Sequence, residues 1–157
     1  MRNHKWFGLA AAFLLAAAVP LCATANLGGD DAEESKDPNL TEGRKAIDAK
    51  DWKTAVDLLS KAAAAEPKNP DVHNWLGFAQ RKSGNMQAAF ASYNEALKLN
   101  PKHKAAHEYI GEAYLITGDV GKAEQHLAEL QKLCSPIPCE EYKDLRRAVE
   151  DFKKNKK

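Results

Sequence analysis

The sequence predicts an all-α fold made of three consecutive helical hairpins and one further helix at the C-terminus. Beyond residue 36, Ala, Leu, Lys and Glu dominate, and no stretch alternates apolar and polar residues as a half-buried strand would. Residue types recur with a spacing of 34, and the prolines fall between the apolar helical periods. A period of this length is typical of stacked hairpins, each of which buries its apolar face only against its neighbours.

The 34-residue period is carried by small and large residues that keep one phase in three successive segments. Glycine stands at positions 43, 77 and 111, and alanine at positions 55, 89 and 123. Larger residues recur in the same way, at Trp52, Met86 and Val120 and at Leu59, Tyr93 and Leu127. We expect the small residues to let paired helices approach closely and the large ones to fill the space between hairpins.

The turns and helix ends follow the same period. Gly84 and Gly118 lie at the tight turn within a hairpin, where the backbone often becomes left-handed. Lys50 holds this place in the first hairpin, so that turn is expected to be either looser or mildly strained. Pro67 and Pro101 are expected to end the second helices of their hairpins.

Together, the segments His73–Gln80, Gly84–Phe90 and Tyr93–Pro101 resemble a tetratricopeptide repeat. The following segment keeps Gly111, Tyr114, Gly118 and Ala123 in phase, whereas the first segment departs at Glu42, where leucine is usual. The resemblance covers residues 36–137. It implies a right-handed solenoid of three repeats, at 36–69, 70–103 and 104–137, that binds a protein or peptide partner.

The period also predicts the helices themselves. The hairpins are expected to pair 36–49 with 52–65, 70–83 with 86–99, and 104–117 with 120–133. The remaining segment, 138–157, is predicted to form a capping helix and a basic tail, because Tyr142, Leu145, Val149 and Phe152 have helical spacing. We expect this helix to cover the apolar end of the solenoid by packing against Leu127 and Leu130.

The N-terminal residues predict export. A basic start, the apolar run 6–19 and the small residues Ala23-Thr24-Ala25 are typical of a signal peptide over residues 1–25, followed by a flexible linker at 26–35. A retained membrane anchor is an alternative, although the run is short for a bilayer span. Lipid attachment at Cys22 is another, although the preceding Leu21 is larger than such processing usually accepts. We therefore expect a periplasmic protein with no stable membrane insertion after cleavage.

The first helix of each hairpin is expected to line a concave groove for the partner. Phe78 is the most informative candidate, because aromatic side chains often anchor interfaces; the alternative is that it packs on the neighbouring hairpin. Arg81 and Lys82, followed by Glu108 and Glu112, suit a partner of mixed charge, although the two cations could simply be solvated. The groove-facing candidates are Leu40, Arg44, Ile47, Asp48, Asn74, Phe78, Arg81, Lys82, Glu108, Glu112, Leu115 and Ile116. Some related domains bind a C-terminal carboxylate with paired Lys and Asn, but Leu40 and Arg44 occupy those places here.

Cys134 and Cys139 are predicted to form a disulfide, because an even pair close in sequence in an exported chain usually does. This bond would hold the capping helix to the third hairpin. The alternative is thiol–disulfide exchange, but four residues separate the cysteines, and Glu140 and Glu141 would disfavour a thiolate at Cys139.

No arrangement of residues predicts catalysis or a cofactor. The sequence has no phosphate-binding glycine loop, and its formal net charge of +1 does not indicate nucleic-acid binding. His103 and His107 could share a metal ion on one helix face, but His107 keeps the 34-residue phase with His73, which favours packing between helices. A protein scaffold is therefore the favoured function; a subunit of an envelope assembly and self-association remain alternatives.

Overall fold

The computed structural model describes residues 37–155, and these form seven α-helices. The predicted signal peptide, Cys22 and the expected linker all precede this range, so those predictions lie outside the described residues. The helices begin and end within two residues of the expected bounds. They are α1 (Pro38–Asp48), α2 (Trp52–Ala65), α3 (Pro70–Lys82), α4 (Met86–Leu99), α5 (Lys104–Ile116), α6 (Val120–Leu133) and α7 (Glu140–Asn155).

The second helix of each hairpin begins at an N-cap that repeats every 34 residues. The side chains of Asp51, Asn85 and Asp119 each accept a hydrogen bond from the backbone N–H three residues later, at 3.1, 3.2 and 3.1 Å. A side-chain oxygen at this place satisfies a backbone donor that the first turn leaves unpaired. The first helices start similarly: Asn69 caps α3, and Pro70 occupies the first turn.

The turns inside the three hairpins each contain one residue in the left-handed backbone conformation. Gly84 has a φ of 89° and Gly118 a φ of 86°, and Lys50 adopts a φ of 58° at the equivalent place. The turn of the first hairpin is therefore the strained one of the two expected forms. Lys50 keeps the left-handed backbone conformation, which a residue with a Cβ disfavours.

The helices form two layers of unequal spacing. The first helix of each hairpin contacts the first helix of the next, α1 with α3 and α3 with α5, and α5 contacts the capping helix α7 in the same way. Within residues 37–155, α2 and α4 make no contact with each other, and neither do α4 and α6. Because the first helices lie closer together, they form the inner, concave side, which confirms the predicted all-α repeat architecture.

Close packing in the hairpins follows the repeat in the first two and departs from it in the third. A Cβ at Gly43 would lie 2.7 Å from Leu59, and one at Gly77 would lie 2.7 Å from the ring of Tyr93. At Gly111 the nearest side chain is Leu145, at 2.6 Å. The capping helix therefore supplies at Gly111 the contact that the second helix supplies in the first two hairpins.

The capping helix covers the apolar end of the third hairpin. α7 packs against both α5 and α6, and Leu145 and Val149 are buried in one core with Leu130. Tyr142 and Phe152 are half-buried at its edge. The amphipathic spacing of α7 therefore has the predicted role. Among the helices of residues 37–155, none has the length and apolar character needed to cross a membrane.

Candidate protein-binding groove

Three aromatic rings form a continuous row along the inner surface. On α3, the ring of Trp75 meets that of Phe78 edge-on, with centroids 6.1 Å apart. The ring of Phe78 contacts that of Tyr109 on α5 at 5.1 Å. Phe78 is half-buried, so it packs on the neighbouring hairpin as the alternative interpretation expected, while part of its ring stays accessible.

Cationic side chains lie over this aromatic row. The guanidinium of Arg44 lies 4.9 Å from the centre of the Trp75 ring, and the ammonium of Lys82 lies 5.7 Å from that of Phe78. Lys82 also lies 5.8 Å from the ring of Trp52. Arg44 and Lys82 are exposed. The α1–α3 end of the groove is therefore aromatic and basic, and its cations are partly held in place by the rings.

Arg81 is a buried structural cation and not a solvated one, which corrects both interpretations offered from the sequence. Its side chain is only 7% exposed, and its Nη2 pairs with Oε2 of Glu112 at 2.8 Å. Its Nε also donates a hydrogen bond to the hydroxyl of Tyr93 at 3.3 Å. Because Glu112 lies on α5, this ion pair connects the second and third hairpins.

The α5–α7 end of the groove is acidic. Glu108 is half-buried and faces Glu112 on its own helix and Glu141 and Asp144 on α7. Burial raises the pKa of Glu108 to about 8, and the three neighbouring carboxylates add to this, while Arg81 opposes it. The groove therefore changes from basic to acidic along its length, with Arg44 and Lys82 and not Arg81 at the basic end.

A shallow cavity of about 420 Å³ lies beside the acidic cluster. The cavity is lined by the ion-paired side chains of Arg81 and Glu112 and by the apolar side chains of Leu115, Ile116, Ala148 and Phe152. Ile116, at the edge of this cavity, is 60% exposed.

Besides Arg81, four of the residues predicted to face the groove are buried. Leu40 and Ile47 belong to the core around α1, α2 and α3, and Leu115 belongs to the core below the capping helix. Asn74 is also buried. The prediction of groove exposure is wrong for Leu40, Ile47 and Asn74, because each inner helix is packed by helices on two sides and leaves only a narrow accessible stripe. Leu115 still borders the cavity with the small part of it that stays accessible.

Several groove residues were not predicted from the sequence. Trp75 and Tyr109 complete the aromatic row, and Ala148 and Phe152 of α7 form one wall of the cavity. Trp75, Phe78 and Lys82 have i, i+3, i+7 spacing, from which their position on one face of α3 could have been predicted. The α7 wall had no such sign, because that helix does not belong to the repeat.

The histidines form hydrogen bonds that follow the repeat. Nε2 of His73 lies 2.9 Å from the carbonyl oxygen of Pro67, and Nε2 of His107 lies 3.0 Å from that of Pro101. His107 also pairs through Nδ1 with Nδ1 of His126 at 2.9 Å. Across residues 37–155, no group of three or more His, Cys, Asp or Glu side chains could hold a metal ion.

A solenoid of helical hairpins with an open inner groove belongs to the class of helical repeat proteins. The tetratricopeptide repeat model matches residues 40–103 and 80–136, which is more than half of the sequence. The chain belongs to the tetratricopeptide repeat family.

Known proteins resemble this chain in sequence or in structure. The TPR repeat-containing thioredoxin TTL4 of Arabidopsis thaliana is 27% identical over 117 residues, which cover 74% of this chain and 16% of that protein. This chain therefore spans a small part of that relative.

The first TPR of Spaghetti (RPAP3), solved with the HSP90 peptide SRMEEVD, has a TM-score of 0.64 at 21% identity, covering 73% of this chain and 90% of that one. The type III secretion translocator chaperone SycD of Yersinia enterocolitica has a TM-score of 0.67 at 18% identity, covering 75% and 83%. At these identities the two structures show a shared fold.

Proposed function

We propose that the chain is a periplasmic adaptor that holds a partner polypeptide in the groove formed by α1, α3, α5 and α7. The observation that carries this proposal is the open cavity beside Ile116, a large aliphatic side chain that the fold leaves 60% exposed. Exposed apolar surface rimmed by charged residues is typical of protein-binding sites. The first TPR of Spaghetti, which shares this fold, was solved with a bound HSP90 peptide.

The charges of the groove indicate what kind of segment it holds. Arg44 and Lys82 lie at one end, and Glu108, Glu141 and Asp144 at the other. A partner that places acidic residues at the first end and basic residues at the second would match both. Binding by a C-terminal carboxylate clamp is not part of the proposal, because Leu40 is buried where such a clamp would need a polar side chain.

The proposed compartment depends on residues 1–25, whose pattern is typical of a signal peptide. Cell fractionation and the mass of the purified protein test this part. Recovery in the periplasmic fraction, with a mass that begins at Asn26, is the expected result. A mass that retains residues 1–25, or a lipid on Cys22, would support the alternatives of an anchored protein.

Cys134 and Cys139 are proposed to form a disulfide that holds α7 to the third hairpin. Their Cα atoms are 5.3 Å apart, within the range that such a bond spans. A loop this short adds about 2 kcal/mol to the free energy of unfolding. A structural role is favoured over redox exchange because Cys134 is buried and Glu140, whose pKa is lowered by Lys143, carries a negative charge beside Cys139. Mild thiol that reduces the bond without unfolding the protein would favour the redox alternative.

Site-specific photo-crosslinking in intact cells tests the groove. A photo-reactive residue replaces Lys82 or Ile116 in the groove, and the matched control positions are Ala91 and Ala128, which are exposed on α4 and α6. An adduct that forms from both groove positions and from neither control identifies the partner and supports the proposal. Adducts only from Ala91 or Ala128 would contradict it and favour a subunit of a larger assembly. An adduct with a second copy of the chain would show self-association.

A further inference from the structure

We infer that the α5–α7 end of the groove binds a partner segment that presents an arginine or lysine one helical turn away from a large aliphatic side chain. This inference rests on the proposed function and names the chemistry of the partner. Two adjoining surfaces carry it, an apolar cavity and a set of carboxylates, which lie side by side on the same pair of helices.

The apolar surface lies toward the C-terminal ends of both helices. Leu115 and Ile116 of α5 face Ala148 and Phe152 of α7 across the cavity. The cavity measures about 420 Å³, which is enough for one large aliphatic side chain and part of its backbone. Ile116 supplies the accessible wall, so a partner's leucine or isoleucine would remove it from water.

The carboxylates lie toward the start of the same helices. Glu108 precedes the cavity on α5 and Glu112 lies at its edge, while Glu141 and Asp144 precede it on α7. Glu112 lies four residues before Ile116, a distance of about 6 Å along the helix axis. A cationic side chain one turn from the aliphatic one would therefore reach the carboxylates while the aliphatic one occupies the cavity.

Glu108 and Glu141 take part in no salt bridge within residues 37–155, whereas Asp144 pairs with Arg147 at 3.3 Å. Arg81 is the cation that lowers the pKa of Glu108, and its guanidinium already pairs with Glu112. Three further carboxylates raise the pKa of Glu108 to about 8 together with burial. A partner's arginine or lysine would supply the missing positive charge and favour the ionised form of Glu108. Electrostatic complementarity therefore selects a cationic segment over a neutral or acidic one.

Binding of four synthetic helical peptides to the purified chain tests this inference by fluorescence anisotropy. The first peptide carries arginine and leucine four residues apart in an Ala-rich sequence with blocked ends. Three matched peptides replace the arginine by glutamine, the arginine by glutamate, or the leucine by alanine. The first should bind about tenfold more tightly than the glutamine or alanine peptide, because a charge-assisted contact and a buried leucine each contribute about 1.4 kcal/mol or more.

Variants of the protein locate the site. The pair Glu108→Gln and Glu141→Gln, and separately Ile116→Ser, should each weaken binding of the arginine–leucine peptide by about tenfold. The matched control is the pair Glu42→Gln and Glu129→Gln, which removes two exposed carboxylates elsewhere and should leave the affinity unchanged. Binding to the wild type should tighten between pH 6.5 and pH 9, as Glu108 ionises while the arginine stays charged. The Glu108→Gln variant should lose this dependence on pH.

Equal binding of the arginine and glutamine peptides would overturn the inference, as would unchanged affinity in the Glu108/Glu141 variant. Failure of all four peptides to bind at millimolar concentration would overturn it as well. None of these results affects photo-crosslinking from Lys82 and Ile116, which tests the adaptor function by itself. A partner captured there whose bound segment carries no arginine or lysine would leave the proposed function standing and remove this inference.

Discussion

Leu145 of the capping helix packs directly onto Gly111 of α5. A Cβ at Gly111 would lie 2.6 Å from Cδ2 and 2.8 Å from Cδ1 of Leu145. Leu59 and Tyr93 make the corresponding contacts with Gly43 and Gly77, but they come from the second helix of the same hairpin. The capping helix therefore replaces a contact within the hairpin, and the last glycine of the repeat holds α7 in place.

Gly111→Ala should weaken the attachment of α7. Leu145 is fully buried, so its methyl groups cannot move away from a new Cβ without displacing their neighbours. The free energy of unfolding should fall by about 1–3 kcal/mol relative to a glycine-to-alanine change that meets no obstacle. Urea denaturation followed by circular dichroism measures it.

Gly121→Ala is the matched control for that substitution. Gly121 is exposed in α6, and the only atom within 4 Å of a Cβ there is a side-chain oxygen of Asp119, at 3.7 Å. Alanine has a higher helix propensity than glycine, so this variant should be as stable as the wild type or more stable by up to about 1 kcal/mol. Equal stabilities of the two variants would contradict the packing role of Gly111.

Lys50→Gly should stabilise the protein. Lys50 has a φ of 58°, which costs a residue with a Cβ about 1–2 kcal/mol, and glycine avoids most of that cost. Glycine also gives the unfolded chain more freedom, so we expect a net gain of about 0.5–1 kcal/mol. The midpoint of urea denaturation should rise accordingly.

Gly84→Ala is the reverse experiment at the equivalent turn. A Cβ there meets no atom within 4 Å, but φ is 89°, so the change tests backbone strain alone. It should lower the free energy of unfolding by about 1 kcal/mol. A destabilising Lys50→Gly would show that the lysine side chain contributes more than its backbone costs.

Arg81→Met should destabilise the protein even though Arg81 lines the groove. The substitution leaves Glu112 and the hydroxyl of Tyr93 without their partner, and we expect a loss of about 2–3 kcal/mol. Lys82→Met, at the next and exposed position, should change stability by no more than about 0.5 kcal/mol. A double-mutant cycle with Glu112→Gln measures the coupling directly. Additive effects would contradict the connection between hairpins.

The 34-residue period predicted the helices and turns well because each repeat solves the same local problem. Asp51, Asn85 and Asp119 cap equivalent helices, and Lys50 takes the turn geometry of Gly84 although its residue type is unfavourable. Residues that depend on contacts within one repeat could therefore be assigned from their phase.

The residues assigned wrongly depend on contacts between repeats or with α7. Arg81 was predicted to face the groove, with solvation as the alternative, but it is buried by its partner Glu112, which lies 31 positions later on another hairpin. Leu127 keeps the phase of Tyr93, but the side chain nearest to Gly111 is Leu145 of α7, a helix that has no place in the period. The groove could thus be located from the sequence, whereas the exposed stripe within it depends on how neighbouring helices pack.

Glu108→Gln should stabilise the protein at neutral and alkaline pH. The pKa of Glu108 is raised to about 8 in the folded state, from an ordinary value of 4.5. A raised pKa means that the contribution of Glu108 to stability is fully present below pH 4.5 and is lost as the pH rises to 8. The variant should therefore match the wild type at pH 4.5 and exceed it by about 1–2 kcal/mol at pH 8.5, allowing for partial exposure. Denaturation at a series of pH values measures the difference, and a gap independent of pH would contradict the assignment.

The pH dependence at acidic pH should come from the pair of histidines in the third hairpin. The carbonyl of Pro101 can only accept, so Nε2 of His107 donates to it, and Nδ1 of His107 accepts from Nδ1 of His126. The ring of Tyr114 stacks on that of His126 with centroids 5.7 Å apart. Burial lowers the pKa of His126 to about 4, and the nearby His107 lowers it further, while Glu129 opposes this.

His126→Gln should therefore flatten the stability profile between pH 6.5 and pH 4. Because the folded-state pKa of His126 lies below its ordinary value of 6.5, its contribution is present above pH 6.5 and is lost as the pH falls toward 4. The wild type should lose about 1–2 kcal/mol over this interval through His126, allowing for its partial exposure, and the variant should not. His73→Gln is the matched control, since His73 lies on α3 and contacts the carbonyl of Pro67. Nuclear magnetic resonance titration of the imidazole of His126 gives a direct check, and a pKa near 6.5 would remove this explanation.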